Sequence, residues 1–272
     1  MPNAAPAASG SVRLHGISQA AFDLIVEFEV SGEATYNKLY RSPTRPGGAS
    51  GVTIGIGYDC GYSSSAQIRL DWGGLLPVDM IAALMTVAGL TGAQAAAALP
   101  SVRGIVDVPW VSALAVFSNT SIPKYLAKAS KLPNWDMLSP DCKGALLSLV
   151  YNRGPSFDNA GSRYQEMRNI KAHMAACRFS AIPTELRSMK RIWAGDDSMR
   201  GLLVRRDKEA DLFEKGLKVA VTPPVAAPSR PQVVPPPVMP GPEPGVAPPQ
   251  PAPQPSFLAA FFMAIAKLFT RK

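Results

Sequence analysis

The chain has 272 residues, with 28 lysine and arginine against 20 aspartate and glutamate side chains, a net charge of +8 and an isoelectric point near 9.5. The cysteines (Cys60, Cys142, Cys177) are odd in number and widely spaced, and His15 and His173 are the only histidines, so no metal-type Cys/His spacing or disulfide scaffold is expected. We read the cysteines as ordinary reduced core or surface residues. The basic balance favours a polyanion, whether nucleic acid, anionic lipid or acidic wall polymer, and charge alone does not choose among them.

In chain order, residues 1–12 read as a mobile lead-in. They lack the basic cluster and apolar run of a classical secretion signal. Ile17 to Val30 has the period of a helix, with Ile17, Ala21, Leu24, Ile25 and Phe28 on one side and Gln19, Asp23 and Glu27 on the other. Glu29 falls on the flank of the apolar face. A polar run from Ser42 to Gly51 leads into Val52–Asp59, whose alternation predicts a short strand. Most of the chain beyond Ser64 reads as helix, punctuated at Pro77, Pro100, Pro109, Pro123, Pro133, Pro140 and Pro183. The uncharged stretch Met80–Leu99 fits two short helices, the second capped by Thr91, better than a membrane span. Trp72, Trp110, Trp135 and Trp193 are expected to pack in the core.

Fifteen of the 27 prolines lie within residues 222–255. This segment reads as an extended linker, on the order of 100 Å long at about 3.1 Å per residue. It separates a body over 13–221 from Ser256–Lys272, whose large apolar residues share about 140° of a helical wheel. With Lys267, Arg271 and Lys272, that segment suits the plane of an anionic membrane or outer-leaflet lipid through Phe257–Lys272; docking on the body or on a second copy is the alternative. The expected fold class is α+β, predominantly helical, with a small β-hairpin or sheet.

The candidate chemistry lies in carboxylates, since two histidines and no Gly-x-Ser-x-Gly elbow leave no credible serine triad. Partial burial on the helix flank would raise the proton affinity of Glu29, as a general acid requires; a side chain that merely snorkels at the helix end is the alternative. Thr53 and Asp59 point to one side of the strand but stand about 20 Å apart if it is straight. They can address one site only if the chain bends, which Gly55 and Gly57 permit. Glu29 and Asp59 could then form an acid/base pair with Thr53 orienting a water, or Asp59 could simply end the strand. Arg205, Arg206 and Glu209 are expected to form solvated surface pairs on one helix. Asn152 and Arg153, before Gly154-Pro155, are expected to cap a helix.

These segments together resemble a known family. Phe28-Glu29-Val30, a tyrosine-bearing segment and Gly51-Val52-Thr53-Ile54-Gly55-Ile56-Gly57-Tyr58 are similar to the active-site region of phage-type lysozymes (glycoside hydrolase family 24). Leu149-Val150-Tyr151-Asn152-Arg153-Gly154, Trp193 and Gly201-Leu202-Leu203-Val204-Arg205-Arg206-Asp207-Lys208-Glu209-Ala210 extend the resemblance over residues 17–216. The family's usual aspartate between the glutamate and the threonine is missing; the order here is closer to pesticin-like lysozyme domains, in which the aspartate follows the threonine. The resemblance implies a lysozyme-like domain and a peptidoglycan muramidase, of a phage endolysin or of a bacteriocin-like or secreted toxin, with Glu29, Thr53 and Asp59 as the catalytic set and no metal or organic cofactor. It further implies glycan strands rather than nucleic acid as partner, a monomer, and action at the bacterial wall or periplasm after synthesis in the cytoplasm. A lytic transglycosylase, or a non-catalytic wall-binding body with a membrane-active tail, are the rival expectations.

Overall fold

The computed structural model describes residues 12–219. The Pro-rich linker and the amphipathic C-terminal segment lie outside the described residues, as does nearly all of the N-terminal lead-in.

The first helix, α1 (Gln19–Val30), starts where the Ser18 hydroxyl accepts the Ala21 N–H, and ends at Ser31 in the left-handed conformation (φ 56°). Its start is two residues later than the periodicity suggests, because Ser18 supplies the cap. A short α2 (Glu33–Leu39) comes after it. The predicted strand Val52–Asp59 is instead a hairpin, with β1 (Thr53–Ile54) antiparallel to β2 (Tyr58–Asp59). Gly55 and Gly57, at φ 57° and 72°, turn the chain between them. Thr44 adds an isolated bridge to Thr53, so β1 is hydrogen-bonded on both edges.

Helices α3 (Ser65–Trp72), α4 (Val78–Thr86) and α5 (Gly92–Arg103) come next. The two-helix reading of Met80–Leu99 holds, although the Thr91 side chain makes no capping bond. Pro100 does not punctuate: α5 runs through it, giving up only the amide bond for which proline has no donor. Pro123 does not break the path either. Helix α6 (Trp110–Val116) passes through a π-helical turn at Phe117–Ser121 directly into α7 (Ile122–Ala129). Proline is tolerated there because it falls in the first turn of α7.

The remaining helices are α8 (Pro140–Arg153), α9 (Gln165–Ala175), α10 (Ile182–Ser188) and α11 (Arg200–Leu217). Helix α8 is buried along almost its whole length and packs against α1, α7 and α11. Its contact with α1 is close because position 144 is glycine: a Cβ there would stand 1.9 Å from that of Ala21. Trp72, Trp135 and Trp193 are buried as expected, while Trp110 is half-buried with its ring centroid 5.2 Å from that of Tyr36. Cys60 and Cys142 are buried free thiols, and Cys177 is exposed. The described residues therefore form a predominantly helical α+β unit with one two-stranded sheet. Among them, no helix is long and apolar enough to cross a membrane.

Candidate functional site

A cleft of about 600 Å³ opens between the end of α1, the hairpin and the α7 wall, and Glu29, Thr53 and Asp59 all line it. The bend that the glycines permit therefore takes place, and its consequence is specific. Thr53 and Asp59 are direct cross-strand partners, which places their Cα atoms about 4.5–5.5 Å apart rather than at the ends of a straight strand.

Glu29 occupies the last turn of α1 and is only 4 % exposed. Its Oε1 accepts a hydrogen bond from Arg205 Nη1 at 2.9 Å. Its Oε2 is buried without a hydrogen-bond partner among the described residues. Burial pushes the Glu29 carboxyl above the usual carboxylate range, and the nearby Arg205 guanidinium opposes this without reversing it. The snorkelling alternative is thereby excluded, because the head group is inside.

The pairing with α11 corrects the sequence reading. Arg205, Arg206 and Glu209 are not solvated surface pairs: all three side chains are completely buried. Arg205 donates from Nε to Glu209 Oε1 at 3.1 Å and from Nη2 to the Ser148 carbonyl at 3.1 Å. Ser148 Oγ donates to the same Glu209 oxygen at 2.6 Å, and Arg206 Nη2 reaches it at 2.8 Å and Asn152 Oδ1 at 3.3 Å. An i,i+4 charge pair reads as solvated when only charge is weighed. The available signal was the spacing of Leu202, Ala210 and Phe213, which places the two arginines and the glutamate on the apolar face of α11. Asn152 and Arg153 do end α8, with Gly154 as its cap, but Asn152 is buried inside this network.

Thr53 is 8 % exposed, and its Oγ1 is also buried without a hydrogen-bond partner among the described residues. An unpartnered buried polar atom costs about 1–3 kcal/mol. Both Glu29 and Thr53 line the cleft, so a ligand bound there would have these two atoms to satisfy. Asp59 is tied down more fully. Its Oδ1 accepts the amides of Gly61 (2.8 Å) and Gly51 (3.1 Å), and its Oδ2 also accepts that of Gly51, at 3.2 Å. Asp59 thus ends β2 and caps the following 3-10 turn, as the plainer reading held, while still lining the cleft. Burial raises its carboxyl above the ordinary value, against the opposing pull of those amides and of Lys124.

The approach that makes this possible requires Gly51. A Cβ there would lie 2.4 Å from both Asp59 Oδ1 and the Gly61 nitrogen.

Apart from Val30, Gly55, Gly57, Tyr58 and Tyr151, which belong to the segments quoted above, the rest of the lining was not singled out in the sequence. Asp71 accepts Tyr58 Oη at 2.8 Å and Gln67 Nε2 at 2.7 Å. Thr120, Ser121, Lys124 and Tyr125 come from the π-helical turn and α7, and Tyr151 from α8 packs on Tyr125 with ring centroids 4.3 Å apart and planes tilted by 41°. π-Helical turns recur at functional sites because the wider turn redirects side chains. Among the described residues, no group of three or more His, Cys, Asp or Glu side chains is placed to hold a metal ion. Compared with known proteins, the chain matches no protein-family model, and no curated protein matches it significantly.

Proposed function

We propose that the chain is a lysozyme-like muramidase that hydrolyses the β-1,4 bond between N-acetylmuramic acid and N-acetylglucosamine in peptidoglycan. The observation that carries this reading is Glu29. It is a buried carboxyl with raised proton affinity, held by Arg205 through one oxygen while the other is unpartnered, at a cleft shared with Thr53 and Asp59. A carboxyl that keeps its proton near neutral pH can donate it to a leaving glycosidic oxygen.

In this reading Glu29 protonates that oxygen as the bond from the anomeric carbon breaks. Water, oriented by Thr53 Oγ1, adds to the anomeric carbon and gives its proton to Asp59. The amides of Gly51 and Gly61 favour the ionised form that a base needs, opposing the burial that raises the Asp59 carboxyl above its ordinary value. The net change is one water consumed and one glycosidic bond replaced by two hydroxyls. The basic C-terminal segment Phe257–Lys272 would bring the enzyme to anionic lipid.

One observation favours a second reading. Both Asp59 oxygens are already engaged by backbone amides, which suits a structural cap as well as a base. With Glu29 as the sole acid, the cleft would support a lytic transglycosylase, which closes the muramic acid into an anhydro sugar. Clearing of purified peptidoglycan by the wild-type chain and by Glu29→Gln tests what both readings share. Near-wild-type clearing by the variant would sink both.

A further inference from the structure

The α7 wall of the cleft carries a charge arrangement that the hydrolysis above does not use. Lys124 lines the cleft and is exposed at its edge. Lys128 lies one turn later, with Nζ 4.8 Å from the centroid of the Tyr125 ring, itself part of the lining. Like charges at this i,i+4 spacing repel each other. Among the described residues, neither lysine has a carboxylate within ion-pair distance. Asp59, which lines the same cleft, is turned onto the amides of Gly51 and Gly61. Burial also lowers the proton affinity of Lys128, and the Lys124 charge adds to the effect. The fold thus keeps two ammonium groups without an ion-pair partner on this wall, Lys124 in the cleft lining and within electrostatic reach of Asp59 and Lys128 behind it over the Tyr125 ring, an arrangement relieved by any ligand that brings negative charge there.

We propose that Lys124 and Lys128 form a carboxylate subsite that takes the acidic peptide carried on the lactyl ether of the muramic acid residues. The inference rests on the muramidase reading. N-acetylglucosamine is neutral, so the lactyl-linked peptide is where such a glycan carries carboxylates. Binding that peptide against α7 fixes the register of the strand and hence which glycosidic oxygen faces Glu29.

The test compares the full chain with the double variant Lys124→Gln/Lys128→Gln on two substrates: native peptidoglycan, and the same material with its carboxyl groups capped as amides. Wild type is expected to favour the native wall by about five- to tenfold in kcat/KM, through KM, in keeping with two partly exposed charge contacts. The double variant should show a ratio near one. Wild-type activity on both walls without discrimination would overturn the subsite and leave the muramidase reading standing. So would a double variant that keeps the wild-type ratio. Wild-type inactivity on both walls would overturn the reading and the subsite together. Lys124→Gln alone separates an indirect role: if it shifts the acid limb of the pH profile but keeps the native-to-capped ratio, Lys124 acts only through Asp59 and the subsite is wrong.

Discussion

Arg205 on α11 reaches across 176 residues of sequence to hold Glu29 Oε1 at 2.9 Å, with both side chains buried. The same guanidinium binds Glu209 and Ser148, so the acid of the cleft is mounted on the helical core rather than on the hairpin it faces. Removing one partner of a buried ion pair leaves the other charge without compensation and costs about 3–5 kcal/mol. Arg205→Met should therefore lower the urea midpoint sharply, because buried Glu209 loses one of its cationic partners, while Glu29, the proton-bearing acid of the proposed reaction, loses a hydrogen bond. A midpoint within experimental error of wild type would show that the pair is not formed in solution.

Glu29→Gln should behave differently. The Glu29 carboxyl is raised above its ordinary value of 4.5 in the folded chain. Below that pH both folded and unfolded chains carry the proton, and the higher proton affinity of the folded state contributes fully to stability. As pH rises, the unfolded chain ionises first, and this contribution falls away until Glu29 itself ionises. Glutamine cannot ionise, so the variant should gain stability relative to wild type on going from pH 4 to pH 7. Its activity should drop by about 10²- to 10⁴-fold, the range for loss of a general acid. Denaturation at the two pH values checks the first point: parallel curves for variant and wild type would contradict it.

Thr53 and Asp59 separate architecture from chemistry. Because Thr53 Oγ1 is buried without a partner among the described residues, Thr53→Val should leave stability unchanged or slightly higher while cutting kcat. Asp59→Asn keeps an oxygen able to accept the Gly61 and Gly51 amides, so it should fold within about 1 kcal/mol of wild type. If Asp59 is the base, this variant should still lose about 10²-fold or more in kcat. A fully active Asp59→Asn would assign that side chain to capping alone and favour the transglycosylase reading.

Gly51→Ala probes the approach that seats Asp59. With an added Cβ 2.4 Å from Asp59 Oδ1 and from the Gly61 backbone, the loop must move. Overpacking of this kind costs about 1–3 kcal/mol. Activity should fall along with stability. Wild-type values for both would mean that the Gly51–Asp59–Gly61 contact is not maintained.

How far the site is legible in the sequence differs by residue, for physical reasons. Glu29 is legible because helical periodicity alone puts it beside Phe22 and Ile25, and a carboxyl in that position becomes buried. The meeting of Thr53 with Asp59 is legible only as a condition, since glycines at 55 and 57 permit a turn but do not impose one. The helical character of the body comes from apolar spacing and from caps such as Ser18. Arg205 is not legible, because its charge outweighs the apolar spacing around it and its partner lies in a distant helix. The α7 wall is hidden for a local reason: Pro123 reads as a break, yet it falls in a first turn where no amide donor is needed. That misreading conceals the continuity of α6 with α7, and with it Thr120, Lys124 and Tyr125.

The central claim is that the Glu29 cleft cuts glycan by adding water. Mass spectrometry of the products released from purified peptidoglycan by the full chain tests it most directly. Hydrolysis predicts fragments ending in reducing N-acetylmuramic acid, absent when Glu29→Gln replaces the wild type. Fragments ending in anhydro-muramic acid, or no released glycan at all, would contradict it.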